Sequence, residues 1–252
     1  MGTAQALSSI YVINLDRSAD RMRRFADRNC HLKNVVRAPA VDGSRLNRAD
    51  LIASGRFLDN LPYAQGTLGS ALSHINLWEM SASDDRSITV FEDDIVAHYD
   101  FQERASALVA AMPNDWDIIH WAYWISDTNL SFWVDLGITR CRVEAYGPFP
   151  WRNEAGYREF QNCLISAVAP VRLIHCYGLL AYSISPNGAR TALDHCLPLR
   201  ARKVVLEKWL KEDDALDVAM CDLYPKIKAF ISIPQLAIPS FGDSIRATMD
   251  KD

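Results

Sequence analysis

Paired cysteines are missing from this sequence. Its six cysteines, Cys30, Cys141, Cys163, Cys176, Cys196 and Cys221, are scattered with no C-x-x-C. That is too sparse for a disulfide framework and wrongly spaced for a structural zinc site. Free thiols in a reducing compartment are the expectation. Neither G-x-G-x-x-G nor G-x-x-x-x-G-K-[ST] occurs, so an NAD-type fingerprint and a P-loop are both excluded. No apolar stretch reaches the length of a membrane span. The start, "MGTAQALSSIYVINLDR", lacks the basic residues and sustained apolar run of a signal peptide. Position 6 is not Ser or Thr, against myristoylation. The expectation is a cytoplasmic protein whose membrane contact, if any, is peripheral, at the inner face. A net charge of −4 gives no reason to expect a nucleic-acid partner. No internal repeat, low-complexity tract or linker interrupts the chain.

What is present is an ordinary globular composition, 49% apolar and 23% charged over 252 residues, enough to bury a sizeable core. "SIYVINL" (9–15) is an apolar run that reads as a buried strand. A helix follows, with Ser18 able to cap it and Met22 and Phe25 on one face. "VVRAPAVDG" (35–43) is a second strand ending in an Asp-Gly turn. Strand, helix, strand at this spacing suggests a parallel α/β unit. Residues 44–66 look irregular or weakly helical. Segment 66–83 reads as a helix with Leu68, Leu72, Ile75 and Met80 inward and Leu77 and Trp78 beside them. "RSITVFEDD" is a third strand, "YDFQERASALVAAM" a helix closed by Pro113, and "DWDIIHWAYW" (115–124) a fourth strand. Residues 125–162 show no period. A strand region, a Pro-Asn-Gly turn and a helix come next, then an amphipathic stretch, "EKWLKEDDALDVAMCDLY", and an extended end broken by Pro234 and Pro239. The expectation is one α/β domain over 1–252 with a mostly parallel central sheet flanked by helices and an aromatic-rich inserted loop region.

The acidic run Glu92–Asp93–Asp94 closes the third strand. Ligands of open parallel sheets bind at the carboxyl ends of strands, and carboxylate oxygens suit hard cations such as Mg²⁺ and Mn²⁺. If the segment stays extended, Glu92 and Asp94 point to one side and Asp93 to the other, so the outer two can face one ion. A charged, solvated turn is the plainer reading. At the first strand's end, Asn14, Asp16, Arg17, Arg21 and Arg24 gather around a helix start, where amides and guanidinium groups can hold phosphate or a base. Arg23 and Arg24 read more simply as a solvated helix face.

"YVINLDRSADR", "APAVDG", "GTLGSALSHINLW", "ITVFEDD" and "AYSISPNGAR" occur in the order found in glycosyltransferase family 25. The resemblance runs from about Ile10 to Leu193 and returns at "EDDALDVAM"; 125–162 carries none of it. That family includes lipopolysaccharide β-galactosyltransferases and collagen galactosyltransferases. The resemblance implies a GT-A-like fold and inverting transfer of a hexose, galactose or glucose, from a UDP-sugar to a glycan, lipooligosaccharide or protein acceptor. "E-D-D" resembles that fold's D-x-D motif: Glu92 and Asp94 take its acidic places, Asp94 would ligate Mn²⁺ or Mg²⁺, and Asp93 or Glu92 would reach the ribose or sugar. Asn14, Leu15, Arg17 and Arg21 match the first motif, where a nucleotide would lie, and Asp42 the Asp of "A-x-D-G". Ser73 and His74 match a Ser-His pair, His74 being placed to bond the diphosphate or orient a ligand. Inversion needs a base for the acceptor hydroxyl. Asp217, in the family's apolar "h-D-h-x-h" segment, is the first candidate, for base or metal partner; His175 is its rival, with a buried structural histidine as the alternative. Asp213 and Asp214 read as solvated or capping. The donor and metal half is then 9–115 and the acceptor half 116–252.

Five of the seven tryptophans, 116, 121, 124, 133 and 151, fall between 116 and 151. Aromatic faces stack on sugar rings. Trp116 and Trp121 read as core; Trp133 and Trp151 suit an acceptor surface or a lid, and a partner surface equally. Segment 125–162 is the candidate for a loop closing over the donor. Two other functions compete: metal-dependent phosphoryl or nucleotidyl transfer, which also uses acidic strand ends, and a catalytically silent glycan- or protein-binding module on a glycosyltransferase fold.

Overall fold

The computed structural model describes residues 9–123, 129–146, 153–206 and 209–240. The chain begins with β1 (Ile10–Asn14), α1 (Ala19–Arg28) and β2 (Val35–Pro39). Next come a short α2 (Arg48–Ala53), the long α3 (Gln65–Ser83), β3 (Ile88–Glu92), β4 (Ile95–Ala97) and α4 (Phe101–Ala111). Then follow β5 (Ile118–Ala122), β6 (Asn129–Asp135), β7 (Arg140–Tyr146), α5 (Glu154–Asn162), β8 (Ala169–His175), β9 (Ala181–Ile184) and α6 (Pro186–Cys196). The last elements are β10 (Lys203–Leu206), β11 (Trp209–Glu212), α7 (Leu216–Leu223), β12 (Ala229–Ile233) and β13 (Ala237–Pro239).

Among the described residues, nine strands form one sheet in the order β2-β1-β3-β9-β5-β12-β8-β6-β7. The β1–α1–β2 unit is parallel, as its spacing predicts, and β1 also pairs in parallel with β3. The sheet as a whole is mixed rather than mostly parallel. β9 inserts antiparallel between β3 and β5, and β8, β6 and β7 extend the far edge antiparallel. Sequence order hides this, because β9 (Ala181–Ile184) comes long after both strands it separates, β3 (Ile88–Glu92) and β5 (Ile118–Ala122). The sheet takes strands from both halves of the chain.

Alternation along the strands divides the core into two layers. Val90, Ile118, Tyr182 and Ile231 face α3, α6 and α7; Ile10, Val12, Phe91, Ile119 and Trp121 face α1 and α4. Phe25 is the one buried residue of α1, with Met22 packed beside its layer. α3 is buried on nearly all sides, from Thr67 through Trp78 to Ser81. Its N-terminal part touches backbone directly. A Cβ on Gly69 would lie 2.6 Å from both Gly43 N and Val41 O, and one on Gly43 would meet Gln65 O at 1.9 Å. The Ser73 hydroxyl adds a clamp, accepting from Val41 N at 2.8 Å and donating to Gly69 O at 2.7 Å.

Several local expectations change. Ser18 precedes α1 without a capping side-chain bond; its carbonyl instead accepts from Asn14 Nδ2 at 3.0 Å. Pro-Asn-Gly is no turn but the first turn of α6, capped by Ser185 on Gly188 N. The stretch 125–162 holds a hairpin, β6–β7, and the amphipathic α5, not one inserted loop. Phe132 packs against Tyr123 with ring centroids 4.9 Å apart, and Tyr157 is buried under the Arg28 guanidinium. Trp116 and Trp121 are core. Trp133 is half-buried in β6, its indole N–H enclosed without a partner among the described residues. Trp124 and Trp151 lie outside the described residues.

Candidate active site

A cleft of about 540 Å³ opens at the carboxyl ends of β1 and β3. Asn14, Leu15, Arg17, Arg21, His74, Glu92, Asp93, Asp94 and Asp217 all line it. Its walls are the end of β1, the start of α3, the turn after β3, residues 177–180 and the start of α7.

The acidic run is split by the way β3 ends. Glu92 is the last strand residue, and Asp93 and Asp94 form the turn into β4. Extended alternation therefore stops at Glu92, and the turn rather than strand alternation sets where Asp94 points; both carboxylates line the cleft. Glu92 turns to the α3 layer, where its Oε1 lies 3.6 Å from His74 Nε2. Asp93 turns to α1. It accepts from Asn14 Nδ2 at 2.6 Å and from Arg21 Nε at 2.8 Å. Arg21 Nη2 bonds Asp93 as well and reaches Asp94 Oδ2 at 3.1 Å. One guanidinium thus holds both aspartates, a fork geometry suited to carboxylates. Burial works against the Arg21 charge, but Asp93 and then Asp94 outweigh it and raise its pKa. Asp94 is the less satisfied of the pair. Burial, then the nearby Glu92 carboxylate, pushes it up to about 7 although Arg21 opposes them. Its Oδ1 is buried with no hydrogen-bond partner among the described residues.

That donor set bears on a metal. Among the described residues no group of three or more His, Cys, Asp or Glu side chains could hold an ion. The chain offers the open Asp94 Oδ1 with Glu92 close by. Mg²⁺ is commonly held by one or two carboxylates plus substrate phosphates rather than by an all-protein cage. The residues present fit a cation shared with a phosphorylated ligand and do not fit a closed structural site.

Asp42 does not line the cleft, although Val41 and Gly43 beside it do. Its carboxylate pairs with Arg17 and accepts from Ser44 N at 3.1 Å and Ser44 Oγ at 2.7 Å. The Arg17 guanidinium, then Ser44, hold its carboxyl down at about 2. Asp42 thereby fixes Arg17 and the turn that α3 rests on. Asp217, in the first turn of α7, accepts from Gly178 N at 2.9 Å through Oδ2. Gly178 has φ +87°, a conformation that glycine adopts at little cost. His175 does not reach the cleft. It is buried at the end of β8 with its ring edge-on to Tyr177, centroids 4.7 Å apart. Of the two candidate bases only Asp217 lines the cavity. Asp213 is neither solvated nor a cap: it is buried, accepting from Tyr63 OH and Arg202 Nε, each at 2.6 Å. Asp214 is exposed at the cleft rim.

Two residues were not legible beforehand. Arg37 of β2 donates to Asn14 Oδ1 at 2.9 Å and to Asn14 O at 3.0 Å, and so holds the amide that holds Asp93. An arginine inside the apolar run "VVRAP" was the available signal. Tyr182 reads as a core tyrosine, yet its hydroxyl contacts His74 and Trp78. Among the described Phe, Tyr and Trp residues, only Tyr177 lines the cleft.

The model of "Glycosyltransferase family 25 (LPS biosynthesis protein)" matches residues 7–204. The chain is similar to a "Glycosyltransferase 25 family member" from Anopheles gambiae, 32% identical over 142 residues, covering 52% of this chain and 24% of that protein. It is also similar to "Procollagen galactosyltransferase 1" from Danio rerio, 31% identical over 249 residues, covering 92% of this chain and 34% of that protein. The matched region is thus about a quarter and a third of the length of these two relatives.

Proposed function

Because this chain belongs to glycosyltransferase family 25, we propose that it transfers a hexose from a UDP-sugar to a hydroxyl of a glycan, lipooligosaccharide or protein acceptor, with inversion and with a divalent cation. Galactose is preferred over glucose because the Danio relative is named a galactosyltransferase. The observation that carries the reading is the single cleft that gathers Asn14, Arg21, Glu92, Asp93 and Asp94 on one side and Asp217 on another.

The acceptor oxygen attacks the anomeric carbon, the bond from that carbon to the diphosphate oxygen breaks, and UDP departs with the bonding electrons. The hydroxyl proton passes to Asp217. One Asp217 oxygen is fixed by Gly178 N–H, which orients the carboxylate and leaves lone pairs for that proton. Asn14 and Arg21 hold Asp93 as an acceptor for ribose or sugar hydroxyls. Arg17, carried on Asp42, lines the cleft, where its guanidinium would face the diphosphate. The open Asp94 oxygen and Glu92 would hold Mn²⁺ or Mg²⁺. When bound, that cation supplies a Lewis acid for the leaving diphosphate. The anomeric centre gains oxocarbenium character, as in glycoside hydrolysis.

The test is a panel of UDP-sugars with Mn²⁺, monitoring UDP release with and without acceptors. Asp94→Ala is expected to lower transfer by about a hundredfold or more while the protein stays folded. Full turnover in that variant, or full activity in excess chelator, removes the cation from the mechanism. Thermal stabilisation by UDP and Mn²⁺ without turnover on any acceptor supports the silent binding module instead.

A further inference from the structure

His74 belongs to a buried chain of polar groups whose direction can be derived by counting protons. Trp78 Nε1 lies 2.9 Å from the Tyr182 hydroxyl, and that hydroxyl lies 2.9 Å from His74 Nδ1. Across the ring, His74 Nε2 faces Glu92 Oε1 at 3.6 Å. Trp78 and Tyr182 are fully buried, and His74 is 2% exposed. An indole N–H can only donate, so the Tyr182 oxygen accepts from Trp78. Burial, with Glu92 adding to it, raises the Tyr182 phenol well above its ordinary pKa, so the hydroxyl keeps its proton. A buried hydroxyl proton left without an acceptor is costly. Among the described residues, His74 Nδ1 is the only acceptor recorded within its reach. Nδ1 therefore accepts, and in the neutral ring the proton sits on Nε2.

We infer that Trp78 and Tyr182 are positioning residues for the cleft: they fix the His74 tautomer so that its Nε2–H faces the Glu92 carboxylate across 3.6 Å and draws it electrostatically toward the donor. The reach of His74 to a ligand is then indirect. It presents an N–H to the carboxylate and does not itself take a proton in transfer. The chain also explains why a histidine on a helix that is buried almost all round is turned to the cleft end. The tyrosine oxygen anchors one nitrogen, which leaves the other to the acidic run. The geometry stands independently of transfer, but the consequence for the donor rests on the reading proposed above.

The test reads the tautomer directly. Long-range proton–nitrogen spectra of histidine-labelled protein are recorded at about pH 8, where imidazole is ordinarily neutral. The His74 signals are assigned by their loss in His74→Gln. The Nε2–H pattern is expected; an Nδ1–H pattern overturns the inference and needs no variant to do so. Tyr182→Phe removes one oxygen and keeps the ring. It is expected to redistribute the His74 tautomers and to raise the KM for the UDP-sugar about tenfold, with the KM for acceptor unchanged. An unshifted tautomer, or a shifted tautomer with an unchanged donor KM, overturns the positioning role. If wild-type protein shows the Nε2–H pattern but turns over no UDP-sugar, the chain is supported and the transferase reading fails instead.

Discussion

Asp93 and Asp94 are adjacent in a turn, yet they are held by different means. Asp93 receives an amide and a guanidinium; Asp94 receives a share of the same guanidinium and keeps one oxygen open. Repulsion in the acidic run is thus relieved in part by Arg21; the cation proposed above would complete it at Asp94. A different buried group contributes a loss of stability in acid, opposite in sign to the raised Asp94. His120 is fully buried against Tyr182 and Tyr224, with neither ring nitrogen bonded among the described residues. Burial alone pushes its pKa down to about 3. Between that value and the ordinary one, near 6.5, the unfolded chain binds a proton that the folded chain refuses, so stability is lost as pH falls through this window. The loss is about 1.4 kcal/mol per pH unit, or about 2–3 kcal/mol by about pH 4.5. His31 and His195, also lowered by burial, act with the same sign. His120→Leu is expected to hold its stability at neutral pH, since two orphaned nitrogens are removed, and to show a shallower decline toward pH 4.5. Urea midpoints at the two pH values check this; equal slopes in both proteins show that His120 is not the source.

At the scale of elements, α3 forms one wall of the cleft because glycine lets it approach the 41–43 turn. The contact is backbone on backbone, so no side chain can swing away to relieve it. Gly69→Ala is expected to cost about 1–3 kcal/mol and to weaken UDP binding with it, as α3 carries both Thr67 and His74 into the cavity. Chemical denaturation and a UDP titration read the two effects; an unchanged midpoint and affinity show that the turn yields easily. α3 was legible as a helix from its apolar pattern, and its bounds shift by one residue only. The hairpin β6–β7 was not, because its strands are defined by each other and by β8 rather than by a clean alternation of their own.

Across the whole molecule, one sheet joins the segment that carries Asn14 and Glu92 to the segment that carries Asp217. β9 lies hydrogen-bonded between β3 and β5, and β12 ties β5 to β8. The described core is continuous on each face of that sheet. Unfolding is expected to be a single transition, the same by tryptophan fluorescence and by circular dichroism. UDP with Mn²⁺ at about a hundred times the dissociation constant should add about 2.7 kcal/mol, which moves the midpoint up by roughly 5–10 °C at this size. Separate transitions for the two probes contradict the single unit. No described helix is long and apolar enough to cross a membrane.

The sequence by itself determined the strand–helix–strand start, the buried face of α1, the long α3 and the family, because those rest on local periodicity and on ordered motifs. Of the eleven site residues it named, nine line the cleft, since motif order survives without coordinates. Tertiary structure alone decided that the sheet is mixed, that Asp213 is buried with Arg202 and Tyr63, that His175 is excluded from the cleft, and that Arg21 joins Asp93 to Asp94. Each of these depends on partners far apart in sequence. The pairing that brings them together is set by packing and burial over the whole chain, which no local pattern encodes.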